Sequence, residues 1–186
     1  PNDIIFAHYL GASTDSADPR ALVRRLWAHL DAATGEKIPP PNIDAKPDEM
    51  RDALSHRLGR ASAVAARDNS RILIALDGLD KLAEEDRDMR WWPRALNPQV
   101  KLVASSLDGK AREAGVERRW SELAVKPFDA AQQSQFITDT LKIWNKSDFP
   151  EARKRLVLGH VLASLPLFLK TILDELRISA AHEVLD

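Results

Sequence analysis

The residues with the clearest chemical potential are Asp77 and Asp80, which end an apolar run, Ile72-Leu73-Ile74-Ala75-Leu76-Asp77-Gly78-Leu79-Asp80. A buried strand cannot turn a bare carboxylate inward without cost. It can present one at its carboxyl end, where open α/β sheets bind ligands. Mg2+ takes oxygen ligands and keeps several of its waters, so one well-placed aspartate serves it. In such a site Asp77 holds the metal through water and Gly78 lets the chain turn tightly. Asp80 faces the same pocket, placed to orient an attacking water. The plainer alternative is a strand that ends in an ordinary Asp-Gly turn. Ser105 and Ser106 end a second apolar run, and Pro166 opens a late helical stretch. Read locally, these are turn-bonding serines and a proline at the first position of a helix.

The elements that must position these groups follow from periodicity and punctuation. Residues 4–10 read as a short buried strand that stops at Gly11-Ala12-Ser13-Thr14. Asp18-Pro19 is a cap followed by a first-position proline. Leu22, Leu26 and Leu30, with Val23 and Trp27, make the apolar stripe of a helix that Gly35 stops. After the stiff Pro39-Pro40-Pro41 loop, a second helix starts near Pro47, with Asp48 and Glu49 in its first turn and Met50, Leu54 and Leu58 on its buried face. It continues through Gly59 to Ala66. Residues 71–76 are the clearest strand, and their unbroken apolar character predicts burial on both faces in a parallel sheet. Residues 100–104 and 122–125 read as a third and a fourth strand, with a short helix over 110–114 between them. From Asp129 onward the pattern is helical: a capped helix to Trp144 with Phe136, Ile137, Leu141 and Trp144 inward, another over 150–162, and a last over 166–178. Strand–helix alternation followed by helices alone predicts an α/β sheet domain, residues 1–128, and a small helical lid, residues 129–186.

Composition narrows the classes. The 186 residues are 44% apolar and 30% charged with a net charge of −1, ordinary for a globular domain and without a general footprint for nucleic acid or anionic membrane. There is no cysteine, which excludes disulfides, thiolate metal sites and cysteine nucleophiles. The five histidines have no metal-ligand spacing among themselves. No apolar run approaches a membrane span. The opening residues, Pro1-Asn2-Asp3-Ile4, carry neither the basic region nor the cleavage site of a signal peptide. Without an initiator Met, the chain reads as a segment of a longer protein. Arg112, Arg118 and Arg119 read as a solvated helix face, with contact to an acidic partner as the sharper alternative. Trp91-Trp92 reads either as core or as a partner surface.

The segment Asp77-Gly78-Leu79-Asp80 resembles the Asp-Gly-x-Asp-Glu Walker B motif of NACHT ATPases, signalling members of the STAND class of P-loop NTPases. Other blocks resemble the nephrocystin-like and telomerase-associated-protein-like branch of that family, in the same order. They are His8-Tyr9-Leu10-Gly11-Ala12-Ser13, Trp92-Pro93-x-x-Leu96, and Val100-Lys101-Leu102-Val103-Ala104-Ser105-Ser106. Arg119-Trp120-x-x-Leu123-x-Val125-x-Pro127-Phe128 follows, then Ser164-Leu165-Pro166-Leu167-Phe168-Leu169, with His182-Glu183-x-Leu185 at the end. Together the blocks span nearly the whole chain. The resemblance implies a P-loop-type parallel sheet with a helical lid. It makes Asp77 the Mg2+ acid, Asp80 the residue that orients water, Ser105 and Ser106 the sensor position and Pro166 a nucleotide contact from the lid. It implies a cytoplasmic parent that binds ATP or ADP with Mg2+, carries repeat and effector domains, and oligomerises or signals as a slow ATPase.

Two departures qualify that picture. The phosphate loop, Gly-x-x-x-x-Gly-Lys-[Ser/Thr], does not occur in these residues, and neither Gly35-Glu36-Lys37 nor Gly109-Lys110-Ala111 has its spacing. In the family that loop and its strand come first, the strand lying between those read here at 100–104 and 122–125. Two bare strand edges are therefore expected, and little nucleotide affinity in this chain alone. Lys81 stands where many family members have Glu, which points to slow hydrolysis. The reading from another class is a non-catalytic interaction or scaffold module that keeps the fold and binds no nucleotide. No paired-acid or Ser-His-Asp constellation marks an unrelated enzyme.

Overall fold

A computed structural model describes residues 3–145 and 150–182, with side chains through residue 178. The signal-peptide reading at Pro1-Asn2 and the resemblance beyond His182 lie outside the described residues. The chain divides into two compact units, Pro1–Glu122 and Leu123–Asp186.

The first unit runs β1 (Ile4–Tyr9), α1 (Pro19–Thr34), α2 (Pro47–Arg67), β2 (Ile72–Asp77), β3 (Val100–Ala104) and α3 (Lys110–Glu117), with one short 3-10 turn at Leu79–Lys81 after β2. Local signals set the helices. The Asp18 carboxylate accepts the Arg20 N–H at 2.9 Å, Pro19 supplies a preset φ, and Gly35 ends α1 at φ 71°. Glu49 accepts the Lys46 N–H at 3.0 Å at the start of α2. Gly59 does not interrupt that helix; the Asn97 side chain lies against it.

The sheet is parallel, in the order β1-β2-β3. Its register aligns Ile4, Ile72 and Val100 across the three strands, and Phe6, Ile74 and Leu102 two residues on. Phe6, Ile72, Ile74, Leu76 and Val100 join the apolar stripes of α1 and α2 and Ala111 and Ala114 of α3 in one hydrophobic cluster. The fold is α/β with a parallel sheet and a following helical region, as the sequence predicts.

Some expectations need correction, and one alternative is settled. Burial of the sheet on both faces does not hold: the cluster lies on one side, while Ile5, Tyr9 and Val103 on the other are exposed and Leu73 and Ala75 only half-buried. Alternation inside an apolar run, not the run itself, decides which face is covered. The fourth strand does not form. Residues 121–129 have no regular structure, and Leu123 and Val125 are each 89% exposed. A strand exists only through a ladder partner, and among the described residues the sheet stops at β3. Trp91 and Trp92 are both fully buried, so they are core and not a partner surface. Arg118 likewise leaves the solvated cluster: its guanidinium donates to the Ala114 carbonyl at 3.0 Å and the Met89 carbonyl at 2.6 Å.

The second unit holds α4 (Ala130–Ile143), α5 (Glu151–Leu158) and α6 (Pro166–His182). Asp129 accepts the Gln132 N–H at 2.8 Å, and the Gln132 side chain accepts the Asp129 N–H at 3.0 Å, a reciprocal cap. Ile137, Val157, Ala163, Leu169 and Leu173 form its core, with Phe136, Leu141 and Trp144 against it. The second helix is shorter than its predicted 150–162: the Gly159 N–H still reaches the Arg155 carbonyl, and tighter turns at His160 and Ala163 then replace the helical ladder. No helix among the described residues is long and apolar enough to cross a membrane.

Candidate functional site

The carboxyl ends of the three strands converge on a short stretch of backbone. Leu10 N–H donates to the Asp77 carbonyl at 2.9 Å, which ties the end of β1 to that of β2. The Ser105 N–H donates to the Leu76 carbonyl, and the Leu79 N–H to the Ser105 carbonyl, each at 2.9 Å. Parallel pairing of Leu76 with Ala104 is what brings Ser105 beside Asp77, across 28 residues of sequence. There the Ser105 hydroxyl donates to Asp77 Oδ1 at 2.5 Å and accepts the Gly78 N–H at 2.9 Å. Gly78 is left-handed at φ 84°, the conformation that lets the chain turn at once after Asp77.

Asp80 follows on the 3-10 turn and looks back to the same loops. Its Oδ1 accepts the Leu107 N–H at 3.2 Å, and its Oδ2 lies 3.0 Å from Lys81 Nζ. Partial burial pushes the Asp80 carboxyl up. The Lys81 hydrogen bond, the Leu107 and Asp80 N–H groups and the Lys81 charge outweigh that, and hold it below the usual carboxylate value. A carboxyl depressed in the fold contributes stability that is present above its unfolded pKa and lost as pH falls through the folded one. Asp80→Asn is therefore expected to flatten the acid side of the stability profile. Between about pH 7 and about pH 3, Tm should fall less in the variant than in the native chain. Equal slopes in the two proteins would remove Asp80 from the account.

The structure thus joins Asp77, Gly78 and Ser105 by hydrogen bonds, while Asp80, on the turn that follows, is bonded to the Leu107 N–H and paired with Lys81. Ser106 does not join them: its hydroxyl donates to the Leu107 carbonyl at 2.8 Å. Pro166 lies in the other unit, exposed at the start of α6. Sequence reading missed the Leu107 N–H, since a backbone donor leaves no trace in residue type. It also missed how Lys81 packs. A Cβ placed on Gly11 or on Gly78 would meet Lys81 Cγ at 3.4 Å, so the lysine stem lies across both glycines. The pair of glycines at two strand ends, both at positive φ, was the available signal.

A divalent cation fits this arrangement in one way. Among the described residues no three His, Asp or Glu side chains group to hold a metal by themselves. Asp77 is exposed, with Ser105 on one carboxylate oxygen. It can serve an Mg2+ whose other oxygens come from water and phosphate, the coordination that this ion prefers.

No family model matches the chain, and no solved structure matches it. Curated proteins do. Telomerase protein component 1 of Mus musculus is 26% identical over 196 residues, 98% of this chain and 7% of that protein. Its counterpart in Rattus norvegicus is 26% identical over 187 residues, 96% of the chain and 7% of that protein. A TPR repeat-containing protein of Dictyostelium discoideum is 26% identical over 119 residues, 62% of the chain and 7% of that protein. The chain therefore spans about 7% of the length of the curated relatives it matches.

Proposed function

We propose that this chain is most of the core of a NACHT-type STAND nucleotide-binding module. Its parent binds ATP or ADP with Mg2+ and switches conformation to drive oligomerisation or signalling. The observation that carries the reading is the Asp77–Ser105–Gly78 group, with Asp80 on the turn that follows, at the carboxyl ends of parallel strands ordered β1-β2-β3. The matched relatives support a much longer parent, and one bears TPR repeats in its name. The exposed face of the sheet and the edge of β3, unpaired among the described residues, fit a strand and a helix from outside them, the parts that would carry the phosphate loop.

In this reading Asp77 would hold Mg2+ through water, an ion that would screen the phosphates, while the Ser105 hydroxyl fixes the Asp77 carboxylate. Gly78 keeps the backbone low beneath the ligand. Asp80 would orient a water. The scaffold reading gains from one feature: both Asp80 oxygens are already engaged by groups of the chain itself.

Titration calorimetry with Mg2+ separates the two, on this chain and on one extended upstream. The switch reading expects binding only by the extended chain. It expects Asp77→Asn to weaken the Mg2+-dependent part by about ten-fold, the worth of one charge-assisted contact. Binding by neither chain makes the module a scaffold.

A further inference from the structure

We propose that Asp108 is a modification site: the Gly109 amide closes on its carboxyl carbon, and the isoaspartyl residue that results is a substrate for an enzyme that methylates isoaspartyl carboxylates. This chemistry does not depend on the nucleotide-binding reading above.

The chain holds two Asp-Gly pairs, Asp77-Gly78 and Asp108-Gly109. Glycine hinders ring closure least, because no Cβ stands beside the attacking nitrogen. In the step the Gly109 nitrogen bonds to Asp108 Cγ and gives up its proton. The carboxyl hydroxyl leaves with that proton as water, and a five-membered succinimide remains. Solvent water then opens the ring. Attack at the former side-chain carbonyl restores aspartate. Attack at the Asp108 main-chain carbonyl routes the chain through the side-chain carbon and frees a new carboxylate.

Closure requires the peptide plane between Asp and Gly to rotate until its nitrogen faces Cγ. At Asp77-Gly78 that plane is pinned at both ends. The Asp77 carbonyl accepts the Leu10 N–H at 2.9 Å, and the Gly78 N–H donates to the Ser105 hydroxyl at 2.9 Å. Ser105 holds the Asp77 carboxylate as well. At Asp108-Gly109, among the described residues, neither the Asp108 carbonyl nor the Gly109 N–H makes a hydrogen bond. The Asp108 side chain is 94% exposed, and Arg112 meets it at 3.3 Å in an ion pair open to solvent. Asp77 is exposed too, so exposure does not separate the two pairs; the bonding of the peptide plane does. No atom lies within 4 Å of where a Gly109 Cβ would stand, which leaves room for the ring. The product carries one extra main-chain carbon between Leu107, whose N–H holds Asp80, and the Gly109 carbonyl that accepts the first N–H of α3, from Glu113 at 3.0 Å.

The test incubates the whole chain at neutral pH, native and in urea. Peptide mapping with electron-transfer fragmentation tells isoaspartyl from aspartyl at each pair. Methyl transfer from labelled S-adenosylmethionine by an isoaspartyl methyltransferase gives the second readout. In urea the two pairs should react at similar rates. In the native chain Asp108 should stay within about three-fold of its urea rate, while Asp77 falls at least about ten-fold, because the strand end must open first. Asp108→Glu should remove most of the methyl acceptance of the native chain, since the larger ring closes far less readily. Ser105→Ala, which frees the Gly78 N–H, should raise the Asp77 rate by about ten-fold in the folded protein. An Asp108 that reacts in urea and stays aspartyl in the native chain overturns the proposal, as do equal native rates at Asp77 and Asp108. Isoaspartate that forms at residue 108 and accepts no methyl group overturns its second half. The comparison of native with unfolded chain decides the first half even if Ser105→Ala does not fold.

Discussion

Replacing Arg57 by alanine is expected to cost about 3 kcal/mol of folding stability, read as a lower urea midpoint at unchanged m value. Arg57 is a fully buried cation on α2, and its guanidinium is shared among groups at the end of α1. Nη2 donates to Asp31 at 2.8 Å and to the Thr34 hydroxyl at 3.1 Å, Nε donates to Asp31 at 3.1 Å, and Nη1 donates to Glu36 at 3.3 Å. The planar fork of arginine suits several acceptors at once, which a lysine would not. These bonds fasten α2 to the last turn of α1 and to the turn after Gly35, the pair of helices that covers the buried side of the sheet. Breaking a buried pair on one side typically costs about 3–5 kcal/mol, because the partner charge is left uncompensated. Asp31 and Glu36 remain 25% and 23% exposed, so water can reach them and the lower end applies. Glu36 also keeps Arg60 at 2.6 Å. Arg57→Met should lose clearly less than Arg57→Ala, since its stem still fills the site. An alanine variant that loses less than about 1 kcal/mol would mean that Arg60 and solvent replace the bonds in full.

This network shows where sequence reading stops. The helices it joins were legible: Asp18-Pro19 and Gly35 bound α1, and the spacing of Met50, Leu54 and Leu58 marks the buried stripe of α2. The network itself was not, because Asp31 and Arg57 lie 26 residues apart and nothing in either neighbourhood announces the other. The same division runs through the sheet. The three observed strands were readable because each carries its own apolar pattern. Residues 122–125 carry one as well, yet form no strand, since a ladder needs a neighbour and β3 is the last strand described.

At the candidate site, Asp77 and Asp80 were visible as carboxylates at a strand end. Their use by other groups was not. Ser105 reaches Asp77 through the register of β2 on β3, Leu107 contributes only its backbone, and Lys81 acts through the bend of a single turn. Ser106, the neighbour with the same side chain, turns to its own strand end. Residue type pointed to the place, and the pairing of strands decided which residues share it.

The segment between Lys81 and β3 carries the second large effect, and Trp91 and Trp92 within it should respond differently to the same substitution. Both rings are fully buried and meet edge to face, 5.6 Å apart at 84°. Trp91→Ala is expected to cost about 4 kcal/mol, through lost burial and the cavity left behind. The phenylalanine variants are more telling. Trp91 Nε1 donates to the Asp86 carbonyl at 3.0 Å, so Trp91→Phe loses a hydrogen bond as well as volume, about 2 kcal/mol together. Trp92 Nε1 is buried and makes no hydrogen bond among the described residues. A buried N–H without an acceptor is itself a cost. Trp92→Phe removes that cost while shrinking the ring, and the two effects oppose each other, leaving a loss below about 1 kcal/mol. Urea unfolding of the two variants side by side measures the difference; equal losses would mean that a water or another group satisfies Trp92 in solution.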